Sequence, residues 1–301
     1  MSPKTGLALA LVAALGLGVF WWLSAPQPLT ATDIPQHQPD VANGERLYHA
    51  AGCISCHQPS PDLANVEKTV PAGGAPFHTP VGTLYPINLT PDPETGIGKW
   101  SDLDFLNAVQ RGISPEGRHL IPALPYTSYV HMKPGDVLDI LAYLKTLPPV
   151  VSPERPAEIT LQPLVRRGVG LWKQVAFDTS PWKPDPSQSE SWNRGSYIVN
   201  GPGHCAECHT PRNAFMGLDT SQAFAGGPHP EGKGRVPSLV GLIERGRYKD
   251  AADLASALQY GEVMGYDKLS SGGMGQVQTN ISKLPEDDIK AIGAYLASLK
   301  P

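Results

Sequence analysis

Positive charge is not in surplus: 24 Lys and Arg stand against 28 Asp and Glu, for a formal net charge of −4. A chain that gripped nucleic acid by its phosphates would present a basic face, so that class of partner is excluded. Aromatic residues are few, at 7%. Six of them are nevertheless Trp, and 41% of the chain is hydrophobic, which is enough to build packed cores and excludes a disordered chain. Cysteine and methionine are scarce, four and five residues, so each one can be followed individually. Glycine and proline are plentiful instead, 31 and 32 of 301 residues. That composition fits short helices joined by long irregular loops, not a regular α/β fold or a coiled coil. The length favours two domains.

One long apolar run is present. Gly6–Leu23 is uncharged and follows Lys4. As a helix it would span about 27 Å, just short of a bilayer core. A small-residue cleavage pattern is poor, with Leu23-Ser24-Ala25 as its best version, whereas Trp21-Trp22 suits a membrane interface. A retained anchor is favoured over a cleaved signal. Lys4 then keeps the N-terminus cytoplasmic, and either reading exports the remainder to the periplasm.

The four cysteines form two clusters, Cys53-Ile-Ser-Cys56-His57 and Cys205-Ala-Glu-Cys208-His209. Each is C-x-x-C-H, the attachment pattern for c-type haem: two thiols form thioethers to the vinyl groups, and the next imidazole ligates the iron. Zinc-binding pairs of CxxC lie far closer together than Cys53 and Cys205, which are 152 positions apart. A thioredoxin-like pair needs a βαβ context that the Gly/Pro-rich surroundings lack, and structural disulfides leave the repeated histidine unexplained. Two covalently bound haem c groups account for every cysteine, so neither a thiolate-ligated iron nor a long-range disulfide is possible.

The chain repeats itself. Ala142-Tyr143-Leu144 recurs as Ala294-Tyr295-Leu296, each tyrosine 90 residues after the first cysteine of its half. Asp104–Gly112 matches Asp253–Gly261, a short helix closed by glycine, the first opened by the capping box Ser101-x-x-Asp104. Val137, Ile140, Leu141, Leu144 and Leu147 form one apolar helical stripe before Pro148. Ile289, Ile292, Leu296 and Leu299 form its counterpart after Pro285. A further helix precedes each haem motif, with Gly44 and Gly195 placed to let a crossing helix approach beside Tyr143 or Tyr295.

This pattern resembles the class I cytochrome c fold. The expectation is an all-α chain: an N-terminal transmembrane or signal segment (1–30), one cytochrome c domain (38–155), a packed linker (156–186) and a second domain (187–301). Haem irons in electron transfer are commonly His/Met ligated. In the first half Met132 is the methionine available, while His131, His119 and His78 remain alternatives because the expected Ala-Met-Pro-Tyr stretch reads Ala123-Leu124-Pro125-Tyr126. In the second half Met216 follows His209 too closely and is expected to pack at the haem edge. Met274, on a glycine-rich loop, is favoured over Met264. The metal ligands are thus His57, Met132, His209 and Met274, and His49, His204 and His229 are expected at the surface.

Three stretches resemble the cytochrome c subunits of membrane-bound bacterial dehydrogenases: Pro80–Asp92, Thr95–Asp102, and Trp192–Asn213 with its Gly203-His-Cys-Ala-Glu-Cys-His-Thr-Pro-Arg212-Asn213 segment. The resemblance implies that Asn88, Thr90 and Trp100 lie near the first haem, at its propionates. It departs in two ways: the best-known such subunits carry three haems, and Ser238 is the nearest equivalent of Asn88 in the second half. The reading is an electron-transport protein, a di-haem cytochrome c relaying electrons from a partner dehydrogenase to quinone or a terminal oxidase of the respiratory chain. Its expected role is that of an electron-transfer subunit of an oxidoreductase complex, on the periplasmic side of the inner membrane. A di-haem peroxidase is the alternative.

Overall fold

A computed structural model describes residues 3–79, 81–229, 234–263, 267–268 and 272–300. The first helix, α1 (Pro3–Leu23), has a mean hydropathy of 2.1 and none of it is buried. Helix α2 (Val41–Ala50) starts where the Asp40 carboxylate accepts from the Asn43 amide. It leads into α3 (Cys53–Cys56), a single turn entered through Gly52 at φ 59°. Next come α4 (Asp102–Leu106), the short α5 (Tyr126–Tyr129) and α6 (Pro134–Leu144). The expected capping box is present: Ser101 Oγ accepts from the Asp104 amide, and the Asp104 carboxylate accepts from the Ser101 amide. The helix it opens continues as a π turn over Asn107–Arg111 and is closed by Gly112 at φ 56°.

After α7 (Gln162–Ala176) the pattern returns. Helix α8 (Glu190–Asn200), capped by Ser189, leads into the one-turn α9 (Ala206–His209). Then follow α10 (Ala251–Tyr260), ended by Gly261 at φ 75°, α11 (Gly272–Ile281) and α12 (Glu286–Ala297). The chain is not strictly all-α. Strands β1 (Phe77–Thr79), β2 (Gly82–Leu84) and β3 (Glu158–Ile159) make a small antiparallel sheet. Two further ribbons pair β4 (Gly227–Pro228) with β5 (Arg235–Val236), and β6 (Glu262–Val263) with β7 (Asp267–Lys268). These hairpins sit in the long loops that composition predicted as irregular.

Each half is organised around a helix crossing, α2 on α6 and α8 on α12. A methyl group on Gly44 would lie 1.9 Å from the Asp139 carbonyl oxygen, and one on Gly195 would lie 1.9 Å from that of Ala291. Only glycine admits these crossings. Tyr143 and Tyr295 stand beside the two glycines, as expected. Leu47, Leu106, Val137, Leu141 and Leu144 fill the first core; Ile198, Val199, Leu254, Ile289 and Ile292 fill the second. Each such side chain contributes roughly 1.5–3 kcal/mol when fully buried.

Residues 156–186 pack against both halves. Strand β3 extends the first half's sheet, and Lys173 of α7 donates to the Arg111 and Gly112 carbonyls. Toward the second half, Trp172 Nε1 donates to the Phe215 carbonyl.

Candidate functional site

The two C-x-x-C-H segments have the same local build. In each, one helical turn brings the two cysteines to the same side, and the histidine ends or follows that turn. No disulfide joins any of the four cysteines. His57 Nδ1 lies 2.7 Å from the Ile87 carbonyl oxygen, and His209 Nδ1 lies 2.8 Å from that of Pro237. A carbonyl can only accept, so Nδ1 carries the proton and Nε2 keeps its lone pair for a metal. Burial lowers the pKa of both imidazoles, opposed by that same bond, so they stay neutral as ligation requires. Burial also pushes the Cys53 and Cys205 thiols up to about 12. The described residues contain no cluster of three or more His, Cys, Asp or Glu able to hold a metal ion. Paired thiols with an adjacent neutral imidazole oriented through Nδ1 fit covalent haem.

The residue after each anchoring carbonyl repeats a second device. Asn88 Oδ1 accepts from the Thr90 amide at 2.9 Å, and Ser238 Oγ accepts from the Val240 amide at 3.0 Å. Ser238 therefore takes the place of Asn88, as its position in the repeat suggested. Asn88 Nδ2 donates to the Val150 carbonyl at 2.7 Å, and Thr90 Oγ1 accepts from the Val150 amide at 3.1 Å. These bonds tie the loop that holds His57 to the segment that follows α6. Trp100 is half-buried against the first core.

Met132 is 2% exposed within the first core, and its carbonyl accepts from Gln110 Nε2 at 2.8 Å. Its histidine rivals are engaged elsewhere. His119 uses both ring nitrogens, toward Ser24 and Lys173. His131 binds the Ser180 carbonyl, and His78 faces Thr83 on the β1–β2 hairpin. Met274 lies in helix α11, not on a glycine loop, half-buried against the second core. Glycine's low helix propensity suggested the loop, and packing overrides it. Met264 lies outside the described residues. Met216 is 67% exposed, at a backbone φ of 60°.

Sequence reasoning missed how the two motifs meet. Within the first, Ser55 Oγ accepts from Asn280 Nδ2 of α11 at 2.9 Å. Within the second, Glu207 accepts from Thr127 and Ser128 of α5, the latter at 2.9 Å, and pairs with Arg212 at 2.7 Å. Ser55 and Glu207 are the same position of the repeat, and so are Ser128 and Asn280. A further pair obeys nearly the same symmetry. Tyr197 of the second half donates to Asp136, and Arg46 of the first half lies 3.7 Å from Asp288. This is the reciprocity of a two-fold contact, made within one chain. At its centre Tyr129 donates to the Ala51 carbonyl at 2.9 Å and stacks edge-on to His204, 5.8 Å between ring centres. His204, expected at the surface, is half-buried there with φ 40°. His49 is likewise half-buried, against Tyr48.

The cytochrome c family model matches residues 41–148. A diheme cytochrome c-type protein of Cereibacter sphaeroides is 39% identical over 296 residues, covering 98% of this chain and 97% of that protein. The chain belongs to the cytochrome c family, whose cofactor is covalently bound haem c. It is also 36% identical to a nicotinate dehydrogenase subunit of Pseudomonas putida over 96% of its own length, which is 24% of that subunit. It is 32% identical to the fructose dehydrogenase cytochrome subunit of Gluconobacter japonicus, covering 91% of this chain and 55% of that one. The chain thus spans about half or less of these dehydrogenase subunits.

Proposed function

We propose that this chain is a di-haem cytochrome c, two tandem class I domains at about 38–155 and 187–301, anchored by α1 on the periplasmic side of the inner membrane. It accepts electrons from a dehydrogenase and passes them to quinone or a terminal oxidase. The observation that carries this is the doubled C-x-x-C-H site, with Nδ1 of both histidines held by a backbone carbonyl. Full-length similarity to a protein described as diheme, and partial similarity to dehydrogenase subunits, support the count and the partner.

When bound, haem supplies the one-electron couple, and the protein supplies attachment, orientation and exclusion of water. Cys53, Cys56, Cys205 and Cys208 attach it. His57 and His209 would hold the irons through Nε2, and the Ile87 and Pro237 carbonyls keep the tautomer that leaves Nε2 free to do so. Met132 and Met274, which pack on the first and second cores, would hold the irons together with these histidines. Asn88 and Trp100 shape the first haem's surroundings. The reciprocal contact keeps the two attachment segments edge to edge, so one donor and one acceptor are served by a fixed pair.

Haem stoichiometry tests this directly. The denatured protein is expected to retain two covalent haems, and the double variant Cys205→Ser, Cys208→Ser one. A single haem in the parent would overturn the assignment. Met132→Ala is expected to remove the iron–sulfur charge-transfer band of one haem only. An unchanged spectrum would exclude Met132.

A further inference from the structure

Helix α7 is amphipathic in the wrong sense for a water-soluble protein. The face turned to the protein holds Val169, Gly170 and the amine of Lys173. The opposite face carries Leu161, Leu164, Leu171 and Val175, and of these Leu161, Leu164 and Val175 are 68%, 57% and 62% exposed. The loop 213–217, joined to α7 through Trp172, adds Phe215 and Met216 at 65% and 67%. Leu161 and Met216 are both held at positive φ, 53° and 60°, a conformation that disfavours a large side chain. A contiguous apolar surface of this kind marks an interaction site, not scattered exposure.

The end of α1 shows what covers it. Arg167 of α7 stacks on the Trp21 ring at 4.0 Å and donates to the Ser24 carbonyl at 3.3 Å. A methyl group on Gly170 would lie 2.3 Å from that same oxygen. Arg167 borders the apolar face, so α7 leaves α1 at the level of its terminal tryptophans with its exposed leucines alongside. Trp at the end of a spanning helix sits at the bilayer interface.

We propose that α7 and the 213–217 loop lie on the outer surface of the bilayer, with the apolar face sunk into the headgroup–acyl boundary. This rests on the reading of α1 as a spanning helix, and it assigns a second, in-plane membrane contact that touches both halves of the protein. The chain is thereby held in one orientation on the membrane instead of swinging from a single tether.

The test uses the full haem-loaded chain in phosphatidylethanolamine/phosphatidylglycerol vesicles. Nitroxides are placed through Leu164→Cys and Val175→Cys, with Val12→Cys in α1 and Tyr260→Cys as references, and the haem absorbance of each variant reports folding. The expected result is an oxygen-to-nickel collision ratio at 164 and 175 several-fold above that at 260. Nickel-accessible labels at 164 and 175 would overturn the proposal, and a lipid-embedded label at 12 would then leave the anchor intact. Labels at 164 and 175 shielded from both reagents would also overturn it, since protein then covers the face. A nickel-accessible label at 12 would remove the spanning helix, while lipid contact at 164 and 175 would still support the surface helix.

Discussion

At the scale of single residues, the chemistry is carried by small groups that orient larger ones. The Ile87 and Pro237 carbonyls select the tautomer of two histidines, and Gly44 and Gly195 select the separation of two helix pairs. The motif spacing makes the histidines legible without a structure. The carbonyls are not legible, because a backbone acceptor has no residue type; only folding decides which one arrives at Nδ1. Gly44→Ala and Gly195→Ala would each push a methyl group into a carbonyl oxygen of the partner helix. Each is expected to destabilise the holoprotein by about 1–3 kcal/mol. Denaturant midpoints with unchanged slopes measure this, and a shift below experimental error would show that the crossings relax.

At the scale of elements, periodicity located α6 and α12 because their apolar stripes and proline or acidic starts agree with their packing. It failed at Gly272–Ile281, where glycine suggested a loop and packing on the second core produced a helix. Helix α7 shows the electrostatic consequence of turning one amine inward. Burial, reinforced by Arg111, pushes the Lys173 amine down to about 7 from its ordinary 10.5. Between those values the unfolded chain holds a proton that the folded chain lacks, so stability rises with pH across that window. Below about 7 the full cost of burying the amine is present, and above 10.5 it vanishes. Lys173→Met is expected to flatten the rise, as urea midpoints compared with the parent at pH 7, 8 and 9 would register. An equal slope in both proteins would place the titration elsewhere.

At the scale of the molecule, the two halves are joined by a contact that uses each side of the repeat twice. Glu207 is the polar centre of one side, its carboxylate shared by Thr127, Ser128 and Arg212, and Asn280 reaches Ser55 on the other. Removing one partner of such a network leaves the others buried without their bonds. The double variant Glu207→Ala, Asn280→Ala is therefore expected to split thermal unfolding of the holoprotein into two calorimetric transitions, where the parent shows one. A single transition at an unshifted temperature would show that α7, not this contact, couples the halves.

The sequence by itself determined the attachment chemistry, the doubling and the apolar N-terminal helix, since these rest on residue type at short fixed spacing. Tertiary structure alone decided which carbonyls hold the histidines, that His119 serves the α1–α7 junction, and that Ser55 and Glu207 face the opposite half. Such pairings join groups far apart in sequence, and each depends on packing that brings together surfaces whose local patterns carry no record of one another.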